Sequence, residues 1–504
     1  MLIWMAAAEN DALPGCKVGG VGDVLRDLPP ALAEQGHRVV VFTPAYGRYH
    51  RVQGARRVAS IRLKFGGRMR VAALYRIGQE GAPVTQYVIE HGLITAGKRG
   101  KIYFDDGPSK PFASDACRFS FFSAAIAAWM EQAEAPPDIM HVHDWHLGAL
   151  FFLRRFDRAF GVLRRTRCVF SIHNLAYQGI RPLAGHPSSL ETWFPGTKYV
   201  KREVVDPRFS DCVNLMGLAI RQADGINTVS PGYAKEILLP SDPSHGFVGG
   251  EGLEQDLQEA DSAGRLVGIL NGCTYPAGEG RKPSWKQLRD AIACESGLST
   301  GAPGSPVKQL PVRRPFAVLT SVGRITAQKS TLFLQETKKG VTALDAILQL
   351  AGPGFIFVML GSGDAEFERR FDAIARRRRN FVFLRGYAEK VSRLLYRTGD
   401  LFLMPSSFEP CGISQMLAMR DGQPCVVHSV GGLRDTVRDG HTGFQFRGRN
   451  PQSQARQFVS AVARALAVKH DEPQRWKSIC GEASAQRFTW AAAAREYVVK
   501  LYAS

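Results

Sequence analysis

No apolar run in the sequence approaches the roughly 20 residues that cross a bilayer, so a transmembrane helix is not expected. The first apolar run, Leu2 to Ala8, has no basic segment before it and meets Glu9 at once. It predicts a buried strand and not a secretory signal. The nine cysteines are odd in number, scattered, and show no C-x-x-C spacing. That argues against a disulfide framework or a zinc site and fits free thiols in a reducing cytoplasm. The G-x-G-x-x-G dinucleotide fingerprint is missing, which removes a nicotinamide oxidoreductase. No helix-turn-helix, zinc-finger or RNP-like pattern is present either. The formal charge of +19, from 65 Lys and Arg against 46 Asp and Glu, suits nucleic acid, acidic lipids or phosphorylated small molecules, and the missing patterns count against nucleic acid. No membrane partner is expected.

What is present is a chain of 504 residues, long enough for two or three cores. Short β-rich runs alternate with helical patterns. In the first half these are Val39 to Phe42, Ile139 to His143 and Cys168 to Ile172; in the second, Phe316 to Ser321, Phe355 to Leu360, Phe381 to Arg385, Leu401 to Pro405 and Pro424 to His428. This is the pattern of βαβ units. It predicts an α/β protein of two doubly wound, Rossmann-like domains facing a cleft, with ligands beyond the carboxyl ends of the strands. The expected divisions are an N-terminal domain over 1–275 and a linker region over 276–314, with Gly301 to Pro306 its clearest part. A C-terminal Rossmann-like domain over 315–480 and a final segment over 481–504 follow. The basic run Arg376 to Arg379 follows Asp364, Glu366 and Glu368, an order that suits a helix dipole and needs no ligand.

Lys17-Val18-Gly19-Gly20-Val21-Gly22-Asp23-Val24 lies between a strand and a helical pattern over Leu25 to Gln35. Glycines there let backbone N–H groups meet an anion at a helix N-terminus, or serve only a tight turn. Further on stand His141-Val142-His143-Asp144-Trp145-His146 and Ile172-His173-Asn174-Leu175-Ala176-Tyr177-Gln178-Gly179. The next segments are Thr228-Val229-Ser230-Pro231-Gly232-Tyr233 and Gly268-Ile269-Leu270-Asn271-Gly272. Gly323-Arg324-Ile325-Thr326-Ala327-Gln328-Lys329 and Pro405-Ser406-Ser407-Phe408-Glu409-Pro410-Cys411-Gly412-Ile413-Ser414-Gln415 complete the set, with Gly431-Gly432-Leu433 after them.

Together, and in this order along the chain, these segments resemble the motifs of the bacterial glycogen synthase and starch synthase family of retaining glycosyltransferases. The sequence departs from the family at Cys273-Thr274-Tyr275-Pro276, where valine or isoleucine and then aspartate are usual. It also departs at Ser330, Ser429 and Val430.

The resemblance implies the two-Rossmann (GT-B) architecture and transfer of glucose from ADP-glucose to the non-reducing end of an α-1,4-glucan in the cytoplasm, with retention and without a metal or other cofactor. It implies Arg324 and Lys329 as diphosphate cations with Lys17 as a third. Glu409 would face the donor sugar, and the backbone carbonyl of His173 the anomeric carbon. Gly19, Gly20, Cys411, Gly412, Ile413 and Ser414 would hold the donor. Asp23, Asp144, Asn174 and Asn271 would line the sugar pocket. Tyr387 either stacks on the nucleobase or is a half-buried core aromatic. The histidines at 141, 143 and 146 fit hydrogen-bonded fixtures better than metal ligands. UDP-glucose is the alternative donor, an α-glucan phosphorylase would need a pyridoxal-phosphate lysine whose motif is missing, and a non-catalytic glucan-binding protein would lack Arg324, Lys329 or Glu409.

Overall fold

The computed structural model describes residues 1–276, 280, 282–295, 298–299, 310–351 and 354–503. The chain forms two compact units. The first takes in Met1–Pro240, Gly249–Gly272 and Trp490–Ser504; the second takes in Ser241–Val248 and Cys273–Thr489.

In the first unit a nine-stranded sheet runs, among the described residues, in the order Leu266–Gly268, Gly225–Thr228, Arg167–Ile172, Ile139–His143, Leu2–Ala6, Arg38–Pro44, Val84–Glu90, Arg68–Ile77, Arg56–Phe65. The first seven are parallel; the last two join antiparallel. The alternation of strand side chains sends Ile3, Met5 and Ala7 into one core and Trp4, Ala6 and Ala8 into another on the opposite face. The first core is covered by the helix Gly20–Ala33 (Val24, Leu25, Leu28, Leu32) and by Trp490, Tyr497, Leu501 and Tyr502 from the end of the chain. The second is covered by the helix Ala113–Gln132, buried along most of its length.

The second unit holds a parallel sheet of six strands among the described residues. Their order is Phe381–Arg385, Phe355–Gly361, Ala317–Val322, Leu401–Met404, Cys425–His428, Gly443–Phe446. Leu319, Phe357 and Phe383 pack on one face, and Val318, Val358 and Leu384 on the other. Both units are therefore doubly wound α/β sheets. The helix Ala365–Arg377 is capped by Asp364, with Glu366 and Glu368 in its first turn and Arg376 and Arg377 in its last, a macrodipole pattern.

The range 276–314 is not uniformly irregular. Trp285–Cys294 is a helix with a full capping box from Ser284 and Gln287, and it buries Trp285, Leu288 and Ile292 in the second unit's core. The Gly301 to Pro306 stretch lies outside the described residues. Residues 481–489 stay with the second unit, and only Trp490 onward joins the first.

Candidate active site

Each unit carries its own cluster at the carboxyl ends of its strands. In the first, the chain leaves Leu2–Ala6 and reaches Glu9, which is buried. Its Oε2 accepts from the amides of Val18 and Gly19, both at 2.6 Å, and its Oε1 accepts from the Tyr103 hydroxyl at 2.8 Å. The Gly19 amide thus meets a carboxylate of the protein itself. Nothing in the sequence signals this contact: an acid ten residues upstream gives no sign that it will fold back on the loop. The helix also begins at Gly20, not Leu25, so the glycine segment is its first turn. Lys17 Nζ lies 2.5 Å from Asp23 and 3.4 Å from Asp11. Arg26 bonds Asp11 and Asp27 and lies 3.1 Å from Asp23. Burial opposes charge on both Lys17 and Asp23. It lifts the Asp23 carboxyl, while the charge of Asp23 holds the Lys17 ammonium above its usual value. Lys17 and Asp23, assigned separately to phosphate and sugar, form one pair here.

Asp144 follows the strand Ile139–His143 at φ +57, a strained conformation for a residue with a side chain. Its Oδ1 accepts from the amide of His173 at 2.8 Å. Burial pushes its carboxyl up to about 7 against the amides of His173 and Asn174, which lower it. The His173 Nε2 lies 3.0 Å from His143 Nδ1. Behind them, His141 bonds Tyr502 OH at 2.9 Å and Ser171 Oγ at 2.6 Å. Ser171 donates to Asn227 Oδ1, and Asn227 Nδ2 to Tyr497 OH. Those directions make His141 an Nε2–H tautomer that accepts from Tyr502. His146 stacks on Tyr103. Burial takes His141, His146 and His173 down to about 3 and His143 well below the usual range, so all four are neutral. Among the described residues no group of three or more His, Cys, Asp or Glu is placed to hold a metal ion.

Asn174 Oδ1 accepts from the amide of Ala176. Asn271 is buried, and its Oδ1 has no hydrogen-bond partner among the described residues; the same holds for His143 Nε2. Buried polar atoms of this kind are costly unless something else bonds them. The departure at 273–276 ties down a neighbouring turn: Cys273 N donates to Phe488 O at 2.7 Å, and Tyr275 OH accepts from Phe488 N at 2.9 Å.

In the second unit, Arg324 is exposed just past the strand Ala317–Val322, and Lys329 lies on the helix Ala327–Leu334. Lys329 Nζ donates to Glu409 Oε2 at 2.7 Å, and Ser406 Oγ donates to the same oxygen at 3.0 Å. Ser321, Arg324, Lys329 and Ser406 line one small cavity. Gly412 has φ +78, and the Gln415 side chain donates to the carbonyls of Cys411 and Gly412. Gly432 donates to Glu409 O at 3.0 Å and approaches so closely that a Cβ there would lie 2.3 Å from Cys411 O. Cys411 is buried, Ile413 caps the helix Ser414–Arg420, and Ser414 opens it. Tyr387 is 73% exposed, so it is not a core aromatic.

Residues 2–259 match the family model described as the starch synthase catalytic domain, and residues 317–467 match glycosyl transferases group 1. The chain is 34% identical to a glycogen synthase of Anaeromyxobacter dehalogenans strain 2CP-C over 503 residues, 97% of each protein. It is 32% identical to a glycogen synthase of Streptococcus equi subsp. zooepidemicus over 99% of this chain and 98% of that one. Among solved structures, the catalytic domain of starch synthase IV from Arabidopsis thaliana, bound to ADP and acarbose, superposes with a TM-score of 0.77 at 27% identity. The match covers 100% of this chain and 98% of that one. Sucrose-phosphate synthase from Thermosynechococcus elongatus shares the fold, with a TM-score of 0.57 at 17% identity over 99% and 97% of the two chains.

Proposed function

Because the chain belongs to the glycogen and starch synthase family of glycosyltransferases, we propose that it moves glucose from ADP-glucose to the 4-hydroxyl at the non-reducing end of an α-1,4-glucan, with retention. The observation that carries the reading is the Lys329–Glu409 pair at 2.7 Å, set beside Arg324 at the carboxyl end of a doubly wound sheet. The solved relative bound to ADP and acarbose supports a nucleoside diphosphate and an oligosaccharide as the two ligands.

Arg324 and Lys329 neutralise the diphosphate, the arginine through its planar fork and the lysine as a point charge. Lys17 supplies a third cation once the phosphate draws it from Asp23. No metal ion is required for this, since the charge on the leaving group is met by side chains. The turn at Cys411 to Ser414 and the helix start at Gly20 take the remaining donor contacts, the Gly19 amide being held by Glu9, and Tyr387 offers its face to the base. Glu409 orients the sugar, and Asp23, Asp144, Asn174 and Asn271 bond its hydroxyls. The unpartnered Asn271 Oδ1 suits such a bond.

The bond between the anomeric carbon and the phosphate oxygen breaks, and its electron pair leaves with ADP. The acceptor hydroxyl attacks from the same face and gives its proton to the departing phosphate. The His173 carbonyl and Glu409 stabilise the oxocarbenium-like centre electrostatically. The site of action is the cytoplasm. Initial rates on glycogen with ADP-glucose and with UDP-glucose test the reading. Faster turnover of ADP-glucose is expected, and no transfer from either donor would defeat it.

A further inference from the structure

The loop that follows His173 is fixed almost throughout. Asn174 Oδ1 bonds the amide of Ala176, and the Tyr233 hydroxyl accepts from Leu175 N at 3.1 Å. The Gln178 side chain donates to the carbonyls of Leu175 and Glu251 and accepts from Arg208 and Asn214. Gly179 sits at φ +65 with the Trp145 ring where a Cβ would be, 2.2 Å away. In this rigid frame Tyr177 is 55% exposed.

Its ring is supported from behind. Phe112 meets it edge to face at 6.1 Å and packs on Trp145 at 5.4 Å. Phe112 itself holds φ +61, an unfavourable conformation for a bulky side chain. The preceding carbonyl, of Pro111, is pinned by the buried Arg181 at 2.8 Å, and Arg181 is anchored in turn on Ser188. The positive φ of Phe112 and the buried Arg181 thus fix the ring that backs Tyr177.

A pyranose ring exposes a face of weakly polar C–H groups that suits the electron-rich face of a tyrosine. A ring already held in place loses little freedom when it is covered. Tyr177 lies three residues past Asn174, at the same strand ends as Asp144 and His173. We propose that Tyr177, backed by Phe112, is a stacking subsite for a glucose unit of the acceptor glucan. The assignment rests on the glucan-acceptor reading above.

The full-length protein is tested as Tyr177→Ala and Tyr177→Phe, by retardation in native gels containing glycogen and by initial rates. Tyr177→Ala should weaken glycogen binding and raise the KM for glycogen roughly fivefold, the scale of one aromatic contact. Tyr177→Phe should recover most of the loss, and the KM for the nucleotide sugar should hold. Unchanged retardation and KM in Tyr177→Ala would overturn the subsite. So would equal losses in both variants, or a change confined to the nucleotide sugar, which would put the base on this ring. Gel retardation needs no donor, so a wild-type protein that binds glycogen and transfers nothing tells against the function and leaves this test standing.

Discussion

Lys329 and Glu409 satisfy one another: the ammonium lies 2.7 Å from a carboxylate oxygen that also accepts from Ser406. In the proposed reading a diphosphate entering beside Arg324 competes for that ammonium, so donor binding would free Glu409 toward the sugar. Lys329→Ala should cost about 2–4 kcal/mol in kcat/KM, the scale for removing one preorganised charge-stabilising donor. The fold should survive, since Ser406 still donates to Glu409, but the buried carboxylate loses its ion pair and some stability goes with it. Near-wild-type kcat/KM would remove lysine from the diphosphate site.

Glu409→Ala should lower kcat far more than it changes glycogen affinity. With a slow fluorinated donor, intact-protein mass spectrometry should show no glucosyl adduct on Glu409 or Asp144. An adduct on either would mean double displacement, for which retaining glycosidases place two carboxylates roughly 5 Å apart.

Activity should survive a chelator. The cations assigned to the diphosphate are side chains, and full loss of transfer with EDTA, restored only by a divalent ion, would show that they do not suffice.

Stability should fall as pH drops from about 6.5. The unfolded chain binds protons on its histidines near their ordinary value, while burial keeps His141, His146 and His173 neutral down to about 3. The unfolded state therefore binds more protons in that window. Asp144 acts with the opposite sign. Its folded carboxyl keeps a proton up to about 7, so its contribution is full below about pH 4 and lost as pH rises through 7. Melting temperatures across pH check both. Asp144→Asn should gain on the wild type as pH rises from about 4 to about 7, and a constant difference would refute the assignment.

Gly432→Ala should destabilise the second unit by about 1–3 kcal/mol, the cost of overpacking, because its Cβ would lie 2.3 Å from Cys411 O. It should also lower activity by shifting the turn that carries Glu409. Denaturant melts and rates measured together would reveal either part failing.

The strands were legible because buried parallel strands read as short β-rich runs between turns: Ile139–His143 and Phe381–Arg385 stand where the sequence puts them. The antiparallel edge Arg56–Phe65 and Arg68–Ile77 was not, since its arginines break the apolar signal. Ala113–Gln132 escaped for the opposite reason: buried on nearly all sides, it shows no polar face to mark a period. Capping logic could have found Trp285–Cys294, whose Ser284 and Gln287 form a complete box. At the site, residue types were readable and pairings were not. Nothing in the spacing says that Glu9 takes the Gly19 amide or that Asp23 holds Lys17, because these contacts depend on where the strand ends bring the chain together.

The ribosome meets the units in an order their numbering conceals. The last segment of the first unit, residues 490–504, places Tyr497 and Tyr502 in its core and one of their hydroxyls on His141. During synthesis, the unit that starts first must wait with an open flank until its final turn emerges. By then the second unit, complete at Thr489, has all of its sequence. A released chain truncated before Trp490 should therefore protect the later-made unit from protease while leaving the earlier-made one open to cleavage.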